Sequence, residues 1–313
     1  MGTLSLLHRF SDFGEIQRLV QTFGWRLCYT QLEPGRFEVE AYETRLGDCM
    51  LFRERFGCSM LAYGTSTPDA FDVMMVQSGF GRMFGHELSS KQVVLFTPDC
   101  EVEALGQPGV ETLHLQVPKD RLFEAAAAWE VEFVNTSRAL IVEPGVDRLS
   151  RLRTATARAT EILDRGDLSA WEAVEEELLL TLAAVFDESA HPSLQHSESL
   201  GSTAQHAIDA RKRILSDHLT NVDIELIADD LEIGRRHLNR CFKEHYGISI
   251  QKFVHLRRLH LAYELLSRPG AKMSVTEAAY ECGFKHLGRF SVEYKNLFRQ
   301  TPRQTLNRVI LDN

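Results

Sequence analysis

Two related stretches of this chain decide its C-terminal fold: VDIELIADDLEIGRRHLNRCFKEHYGISIQKF at residues 222–253 and MSVTEAAYECGFKHLGRFSVEYKNLFRQTPRQT at residues 273–305. Ala228 in the first stretch aligns with Ala279 in the second, 51 positions later. After one extra residue in the second stretch, Phe242 aligns with Tyr294, 52 positions later. Matched apolar positions indicate one supersecondary unit that is used twice.

Each copy predicts two short helices joined by a tight turn. In the second copy, apolar residues recur at the i, i+3, i+4, i+7 spacing of a helix face at Val275, Ala278, Ala279 and Cys282. Gly283 follows, and glycine suits a turn that needs a positive φ. The first copy has Glu232 at this position, where either a positive φ costs ~1 kcal/mol or the turn differs locally. The pattern is typical of a helix-turn-helix unit, whose second helix enters the major groove of DNA.

Between the two copies, SIQKFVHLRRLHLAYELLS at residues 249–267 has apolar residues at helical spacing. It predicts one long helix that fixes the two units relative to each other.

These segments resemble the two helix-turn-helix motifs of the AraC/XylS family of transcription regulators. IADDLEIGRRHLNRCFKEHYGIS and TEAAYECGFKHLGRFSVEYKNLFRQTP carry the resemblance, in the family's order and spacing, over roughly the last third of the chain. The resemblance implies a sequence-specific DNA-binding regulator whose N-terminal domain is a cupin-like barrel that binds a small-molecule effector. It also implies a dimer contact through helices beside the barrel, and activation by contact with RNA polymerase.

Nine residues on the outer faces of the second helices are candidates for DNA contact: Arg235, Arg236, Asn239, Arg240, Lys243, Lys285, His286, Arg289 and Lys295. Arginine can bond guanine and asparagine can bond adenine through two hydrogen bonds, so Arg236, Asn239 and Arg240 are predicted to read bases. The resemblance assigns the same role to these positions. In the second unit Arg289 is the preferred base reader, with Lys285 and His286 beside it. Arg235, Lys243 and Lys295 are predicted to contact phosphates, which add affinity but no sequence preference.

Charge is distributed unevenly along the 313 residues, whose formal net charge is −9. Residues 207–313 contain 18 Lys/Arg and 13 Asp/Glu, a net charge of +5, whereas the remainder contains 17 and 31, a net charge of −14. This asymmetry favours a nucleic-acid-binding C-terminal part and an N-terminal part with another role. We predict an effector-sensing and dimerisation domain at 1–187, a flexible Ser- and His-rich linker at 188–205 and a DNA-binding domain at 206–313.

The N-terminal part has the sequence pattern of a β-structure. Between Trp25 and Val117, nine short segments rich in β-branched and aromatic residues alternate with turn signals, which predicts a β-sandwich or a barrel. Helical patterns return at 118–129, 147–165 and 169–187 and can pack on the sheet or pair with a second chain; we favour a homodimer. The expected fold class is therefore α+β: a cupin-like β-barrel with flanking helices, then an all-α domain with tandem helix-turn-helix units.

Neither catalysis nor a metal site is predicted. The six cysteines form no CxxC pair and we assign them no histidine partner, so we expect free buried thiols rather than disulfides or zinc sites. A cupin-type metal site needs paired histidines, whereas adjacent His86 and Glu87 would point to opposite faces of a strand and His114 stands alone. His191 and His196 of the linker could be metal ligands, but the other interpretation is that both are ordinary solvated side chains.

Two other functions remain open. The first is a metal-dependent cupin-type enzyme with an accessory DNA-binding tail, and the second is a ligand-independent architectural DNA-binding protein. No cofactor is expected.

No N-terminal stretch has the charged-then-apolar pattern of a signal peptide, and no run approaches 18 apolar residues. We therefore expect a cytoplasmic protein with no membrane partner. The expected partners are a double-stranded DNA operator, an unknown small-molecule effector, RNA polymerase and a second copy of the chain.

Overall fold

The computed structural model describes residues 6–46, 48–134, 136–165, 171–187, 201–216, 222–268 and 273–311. Within these ranges the strands are β1 (Leu6–Phe10), β2 (Arg26–Gln31), β3 (Val39–Leu46), β4 (Cys49–Phe56), β5 (Met60–Thr65), β6 (Ala70–Ser78), β7 (Gly81–Met83), β8 (His86–Leu88), β9 (Val93–Phe96), β10 (Glu101–Gly106), β11 (Glu111–Pro118) and β12 (Leu140–Val142). The helices are α1 (Phe13–Thr22), α2 (Lys119–Ala128), α3 (Val146–Arg165), α4 (Trp171–Val185), α5 (Ser202–Ser216), α6 (Ile224–Asp230), α7 (Arg235–Tyr246), α8 (Ile250–Leu266), α9 (Val275–Glu281), α10 (Leu287–Phe298) and α11 (Pro302–Leu311).

The strands form two open sheets. The large sheet has the order β1-β3-β4-β11-β6-β9-β12, and the small sheet has the order β2-β5-β10-β7-β8. Hydrogen bonds close neither sheet on itself, so the closed barrel expected from the sequence is not confirmed. The α+β class is confirmed, with strands in the N-terminal part and helices alone in the described C-terminal part.

An apolar core fills the space between the two sheets. Tyr29 of β2 lies against Phe56 of β4, with ring centroids 6.1 Å apart. Trp25, just before β2, meets Phe96 of β9 edge-on at 5.1 Å. All four residues are buried. The inner faces of the sheets therefore pack on each other as in a β-sandwich, one of the two architectures that the strand pattern allowed.

Helices cover the other face of the large sheet. Val73 of β6 and Leu115 of β11 belong to a second buried cluster, together with Leu152 of α3 and Leu178 of α4. Burial of both faces explains why β6 and β9 are almost continuously apolar rather than alternating. The three predicted helices are thus confirmed as α2, α3 and α4, and their apolar faces form core.

One predicted strand segment, Arg82–Leu88, is a hairpin instead of a single strand. Phe84 and Gly85 both have positive φ, 47° and 82°, and connect β7 to β8. A two-residue turn with two positive φ values is the type that matches the twist of a hairpin. Strands β1 and β12 are additional to the nine predicted segments.

The repeated units are confirmed as two helix pairs, α6–α7 and α9–α10, joined by α8. Each first helix has a side-chain cap. Asp223 accepts a hydrogen bond from the backbone of Glu225, and Ser274 forms a capping box with Glu277. The long connecting helix α8 begins after its cap Ser249 and ends before Ser267, as the sequence predicts.

The turns of the two units have the same backbone conformation. Glu232 has a φ of 55° and Gly283 has a φ of 82°. The first unit therefore adopts the left-handed turn although it has no glycine there. The ends of the second helices also match, because Gly247 after α7 and Arg299 after α10 are both left-handed.

Part of the proposed linker at 188–205 is helical, since α5 begins at Ser202. Residues 188–200, which include His191 and His196, lie outside the described residues. No helix in the described part of the chain combines the length and the apolar character that a membrane crossing requires.

His114 does not stand alone, contrary to the expectation from the sequence. On β11, its Nδ1 lies 2.8 Å from an oxygen of Asp72 on β6, and its Nε2 lies 3.7 Å from an oxygen of Glu54 on β4. Trp25 and Phe52 flank the ring. Burial alone would lower the pKa of His114, but the two carboxylates more than offset this effect and raise the pKa to about 10. A charged histidine is therefore part of the sandwich core.

This ion pair predicts a pH-dependent stability. The pKa of His114 in the folded chain lies above its ordinary value of 6.5, so its stabilisation is complete below that value and is lost as the pH rises through about 10. The free energy of unfolding should fall by up to roughly 1.4 kcal/mol per pH unit between about pH 7 and 9. Urea unfolding at both pH values measures this slope.

The matched control replaces both partners with amides, His114→Gln with Asp72→Asn, which keeps a hydrogen-bonding pair but removes its titration. The slope should become shallower by a similar amount. An unchanged slope in the double variant would show that other groups cause the pH dependence.

Candidate nucleic-acid interface

Helix α7 presents its basic residues along one exposed face. Arg235, at the first position of the helix, forms an ion pair with Glu225 of α6. Arg236 and Lys243 are exposed, and neither forms an ion pair within the described residues. The opposite face, with Leu238 and Phe242, is buried. The amphipathic pattern therefore orients the predicted contact residues away from the core.

Arg240 and Asn239 differ from each other in environment. Arg240 is exposed, donates a hydrogen bond from Nη2 to Nδ1 of His237 at 2.7 Å and lies 3.9 Å from Glu244. Asn239 is half-buried, and its side-chain oxygen is buried without a hydrogen-bond partner in the structure. The sequence predicted that Arg236, Asn239 and Arg240 can share one groove, and the structure differs from this picture in the burial of the Asn239 carboxamide oxygen.

The second unit exposes its candidates at the start of α10. Lys285, His286 and Arg289 are all exposed, and His286 is the residue that precedes the first turn. Arg289 donates a hydrogen bond from Nε to Glu293 at 2.8 Å, and the other oxygen of Glu293 lies 3.2 Å from His255 of α8. Lys295 is exposed in the last turn.

Acidic neighbours hold several of these arginines in the free protein: Glu225 for Arg235, Glu244 for Arg240 and Glu293 for Arg289. Exposed pairs of this kind contribute at most about 1 kcal/mol. An arginine can therefore exchange its carboxylate partner for a phosphate or a base edge at a small cost in free energy.

The rear of α7 is fixed by a buried carboxylate of the small sheet. Glu103 of β10 accepts hydrogen bonds from Arg211 of α5 at 2.7 Å, from Tyr246 of α7 at 2.7 Å and from His245 of α7 at 2.6 Å. Burial alone would raise the pKa of Glu103, but the hydrogen bond from His245 and the charge of Arg211 outweigh it and lower the pKa. We call Glu103, Arg211, His245 and Tyr246 the interdomain cluster.

Tyr63 adds a second contact beside the interdomain cluster. It pairs with Glu103 across β5 and β10 on the outer face of the small sheet. The guanidinium of Arg211 lies 4.9 Å from its ring centroid, and that of Arg257 from α8 lies 6.0 Å away. Cations at these distances are attracted by the ring face. The sheet thus holds α5 and α8 as well as α7.

A separate contact reaches the second unit. The backbone N–H of Gln31 donates to Nε2 of His260 on α8 at 2.9 Å, and that of Gly35 donates to the carbonyl of Leu297 on α10 at 3.1 Å. Tyr263 of α8 donates to Asp12 at 2.5 Å. A cleft opens at this boundary, lined by Ser11, Phe13, Arg36, Phe37, Tyr263, Phe298, Arg299 and Gln300.

Sequence reasoning missed the interdomain cluster because Glu103 and Arg211 are 108 positions apart. One local signal existed. Arg211 lies on the apolar face of α5 with Ala207, Ile208 and Ile214. A charged residue on an apolar helix face usually has a buried partner.

Comparison with known proteins agrees with this architecture. Residues 227–308 match the model of a family described as a helix-turn-helix domain. A XylDLEGF operon transcriptional activator of Pseudomonas putida is 33% identical over 87 residues, which are 28% of this chain and 27% of that protein. The HTH-type transcriptional activator RhaS of Escherichia coli (strain SMS-3-5 / SECEC) is 30% identical over 156 residues, which are 50% of this chain and 53% of RhaS. The matched segments thus span about a quarter to a half of these relatives.

Among solved structures, the AraC-like transcriptional activator CuxR covers 83% of this chain and 95% of its own, with 15% identity and a TM-score of 0.42. That likeness is too low to carry an argument about the N-terminal domain. These relatives are described as transcriptional activators, so they do not support the alternative of a metal-dependent cupin-type enzyme. By the helix-turn-helix domain at residues 227–308, the chain is thus similar to transcriptional activators of Pseudomonas putida and Escherichia coli.

Proposed function

We propose that the chain is a sequence-specific DNA-binding transcription regulator that acts as an effector-responsive activator. The observation that carries this proposal is the pair of helix-turn-helix units on one connecting helix, each with an exposed arginine near the start of its second helix. The names of the relatives, both transcriptional activators, support the direction of regulation.

In this proposal α7 and α10 enter successive major grooves about one helical turn apart, ~34 Å along the duplex. Arg236, Asn239, Arg240 and Arg289 read bases, with Lys285 and His286 beside them. Arg235, Lys243 and Lys295 contact phosphates and supply affinity that depends on salt.

Two contacts support a response to a small-molecule effector, because they join the sandwich to both helix-turn-helix units: the interdomain cluster holds the first unit, and the contact beside the cleft holds the second. Such an effector acts through a difference in its affinity for two arrangements of the domains. A ligand-independent architectural protein would show no such response. A thermal-shift screen with small metabolites distinguishes the two, since no stabilising compound is expected for the architectural protein.

Activation in the cytoplasm by contact with RNA polymerase completes the proposal and follows the family resemblance. In vitro transcription with purified RNA polymerase tests this step on a promoter that carries the selected binding site. A failure to raise transcript yield would argue against activation by direct contact.

DNA binding is tested with the full chain by selection from random duplexes, followed by a panel of single-base variants of the selected site. Arg240→Ala should remove about 1–3 kcal/mol of discrimination at one base pair. Lys243→Ala should weaken all duplexes alike and reduce the salt dependence by about one phosphate contact. Equal losses at every position for Arg240→Ala would contradict base reading. No preference for any duplex over random competitor would contradict the function itself.

The interdomain cluster predicts a large effect of one substitution. Glu103→Gln removes the buried carboxylate that accepts from Arg211, so that only the half-exposed Glu101 at 3.4 Å still pairs with this arginine, and should lower the free energy of unfolding by about 3 kcal/mol. The control is Glu40→Gln, since Glu40 pairs with Arg9 at 3.1 Å on the exposed surface and should contribute less than about 1 kcal/mol. Urea unfolding measures both. Similar small losses would show that the cluster does not hold the domains together.

We also propose a homodimer formed through the helical layer on the large sheet. The support is apolar exposure there: Trp129 after α2 is 52% exposed and Val146 at the start of α3 is 85% exposed. Sedimentation over a range of protein concentrations should give a dimer mass that Trp129→Glu shifts toward the monomer. A monomer at all concentrations would contradict the proposal.

A further inference from the structure

Three side chains that can bind a metal ion meet where α5 packs against α7. They are His206 of α5 and His237 and Cys241 of α7, and their potential ligand atoms all lie within 4.8 Å of one another. His237 and Cys241 are one helical turn apart and therefore share a face of α7. The rings of His206 and His237 meet edge-on, with centroids 5.8 Å apart. Within the described ranges this is the one group of three such side chains.

The environment of these side chains points to a ligand. Nδ1 of His206 is buried and has no hydrogen-bond partner in the structure. Cys241 is fully buried as well. A buried imidazole nitrogen without a partner is unfavourable, because it loses its hydrogen bonds to water and gains nothing in return. A cation at this position would satisfy it.

We propose that His206, His237 and Cys241 form a binding site for Zn²⁺. Two imidazoles and one thiolate are ligands that Zn²⁺ prefers, whereas Mg²⁺ and Ca²⁺ require oxygen ligands. Zn²⁺ bonds of 2.0–2.3 Å place tetrahedral ligand atoms about 3.3–3.6 Å apart. Side-chain rotations that shift the ligand atoms by roughly 1 Å are therefore enough to form the site. Water or a further side chain takes the fourth position, and the Cys241 thiol releases its proton to solvent when the metal binds.

The position of Cys241 beside two histidines was not expected from the sequence, which assigned the cysteines no histidine partner. The sequence contained a signal, since His237 precedes Cys241 by four residues in a helical segment. The third ligand was hidden because His206 lies 31 positions before His237, on another helix.

Metal binding also changes the partner of Arg240, a consequence that rests on the proposed DNA-binding function. The guanidinium of Arg240 donates to Nδ1 of His237. A neutral imidazole has one nitrogen with a lone pair and one with a proton, and arginine can only donate. If the metal takes Nδ1, it displaces Arg240; if it takes Nε2, the proton moves to Nδ1 and the hydrogen bond is lost. Either way Zn²⁺ frees Arg240 to reach a base.

Metal titration of the reduced, chelator-treated full chain without DNA tests the site. Co²⁺ alone serves as a spectroscopic probe, and Zn²⁺ is added as competitor. A thiolate-to-cobalt charge-transfer band should saturate at one equivalent and disappear when Zn²⁺ is added. Cys241→Ser should abolish the band, and His206→Gln should weaken Co²⁺ binding ~10-fold or more.

Cys282→Ser is the matched control, because Cys282 is also a buried cysteine of a helix-turn-helix unit but belongs to no such group in the described part of the chain. It should leave the band unchanged. Circular dichroism verifies that each variant folds, and the half-buried His206 keeps the test valid if Cys241→Ser does not fold. No saturation at one equivalent, or a band that survives in Cys241→Ser, would overturn the site. This titration is independent of whether the chain binds DNA.

The release of Arg240 is tested by the affinity for the selected duplex with and without Zn²⁺. A Zn²⁺ concentration that just saturates the wild-type site should tighten wild-type binding several-fold, because the two ligands are coupled through Arg240. The effect on His206→Gln should be much smaller, because this variant stays largely metal-free at that concentration. An unchanged wild-type affinity at full Zn²⁺ occupancy would overturn the release.

Discussion

A single buried carboxylate, that of Glu103, determines where the first helix-turn-helix unit can lie. A charge removed from water is tolerated only when its partners are in place, and here the donors come from Arg211, His245 and Tyr246 of two C-terminal helices. The small sheet therefore cannot bury Glu103 without α5 and α7 against it. For this reason one apolar core runs from between the sheets into the C-terminal helices.

The two helix-turn-helix units are anchored by different chemistry. The first is held by the charged interdomain cluster, whereas the second is held by backbone hydrogen bonds and by aromatic packing around Phe13, which meets His260 and Phe298 edge-on. A change in charge near β10 would thus loosen one unit and leave the other in place. The two similar units are therefore unequal in how they are attached to the sandwich.

Local patterns predicted the C-terminal domain well, because the caps, the turns and the apolar faces of its helices are encoded within a few residues. The turn at Glu232 was the exception, because its alignment with Gly283 allowed either a positive φ or a locally different turn, and the structure has a φ of 55°. The sandwich was predicted less completely. Whether sheets close depends on pairing between distant strands, such as β11 with β4 and β6, which no local pattern specifies.

Local sequence patterns also predict only part of the environment of the candidate DNA-contact residues. Exposure of Arg236 and Arg289 follows from helix periodicity, but the burial of the Asn239 oxygen depends on neighbours that are remote in sequence. Likewise His114 finds Asp72 and Glu54 only because β4, β6 and β11 are adjacent.

Helix α8 has buried residues around its whole circumference, since it contacts α7, α9, α11 and β2. Because α8 is packed on all sides, it holds the two helix-turn-helix units in a fixed relative position. In the proposed complex, any mismatch between its length and the pitch of the duplex is absorbed by curvature of the nucleic acid. Intervening base-pair steps that kink easily would then be favoured although no side chain touches them.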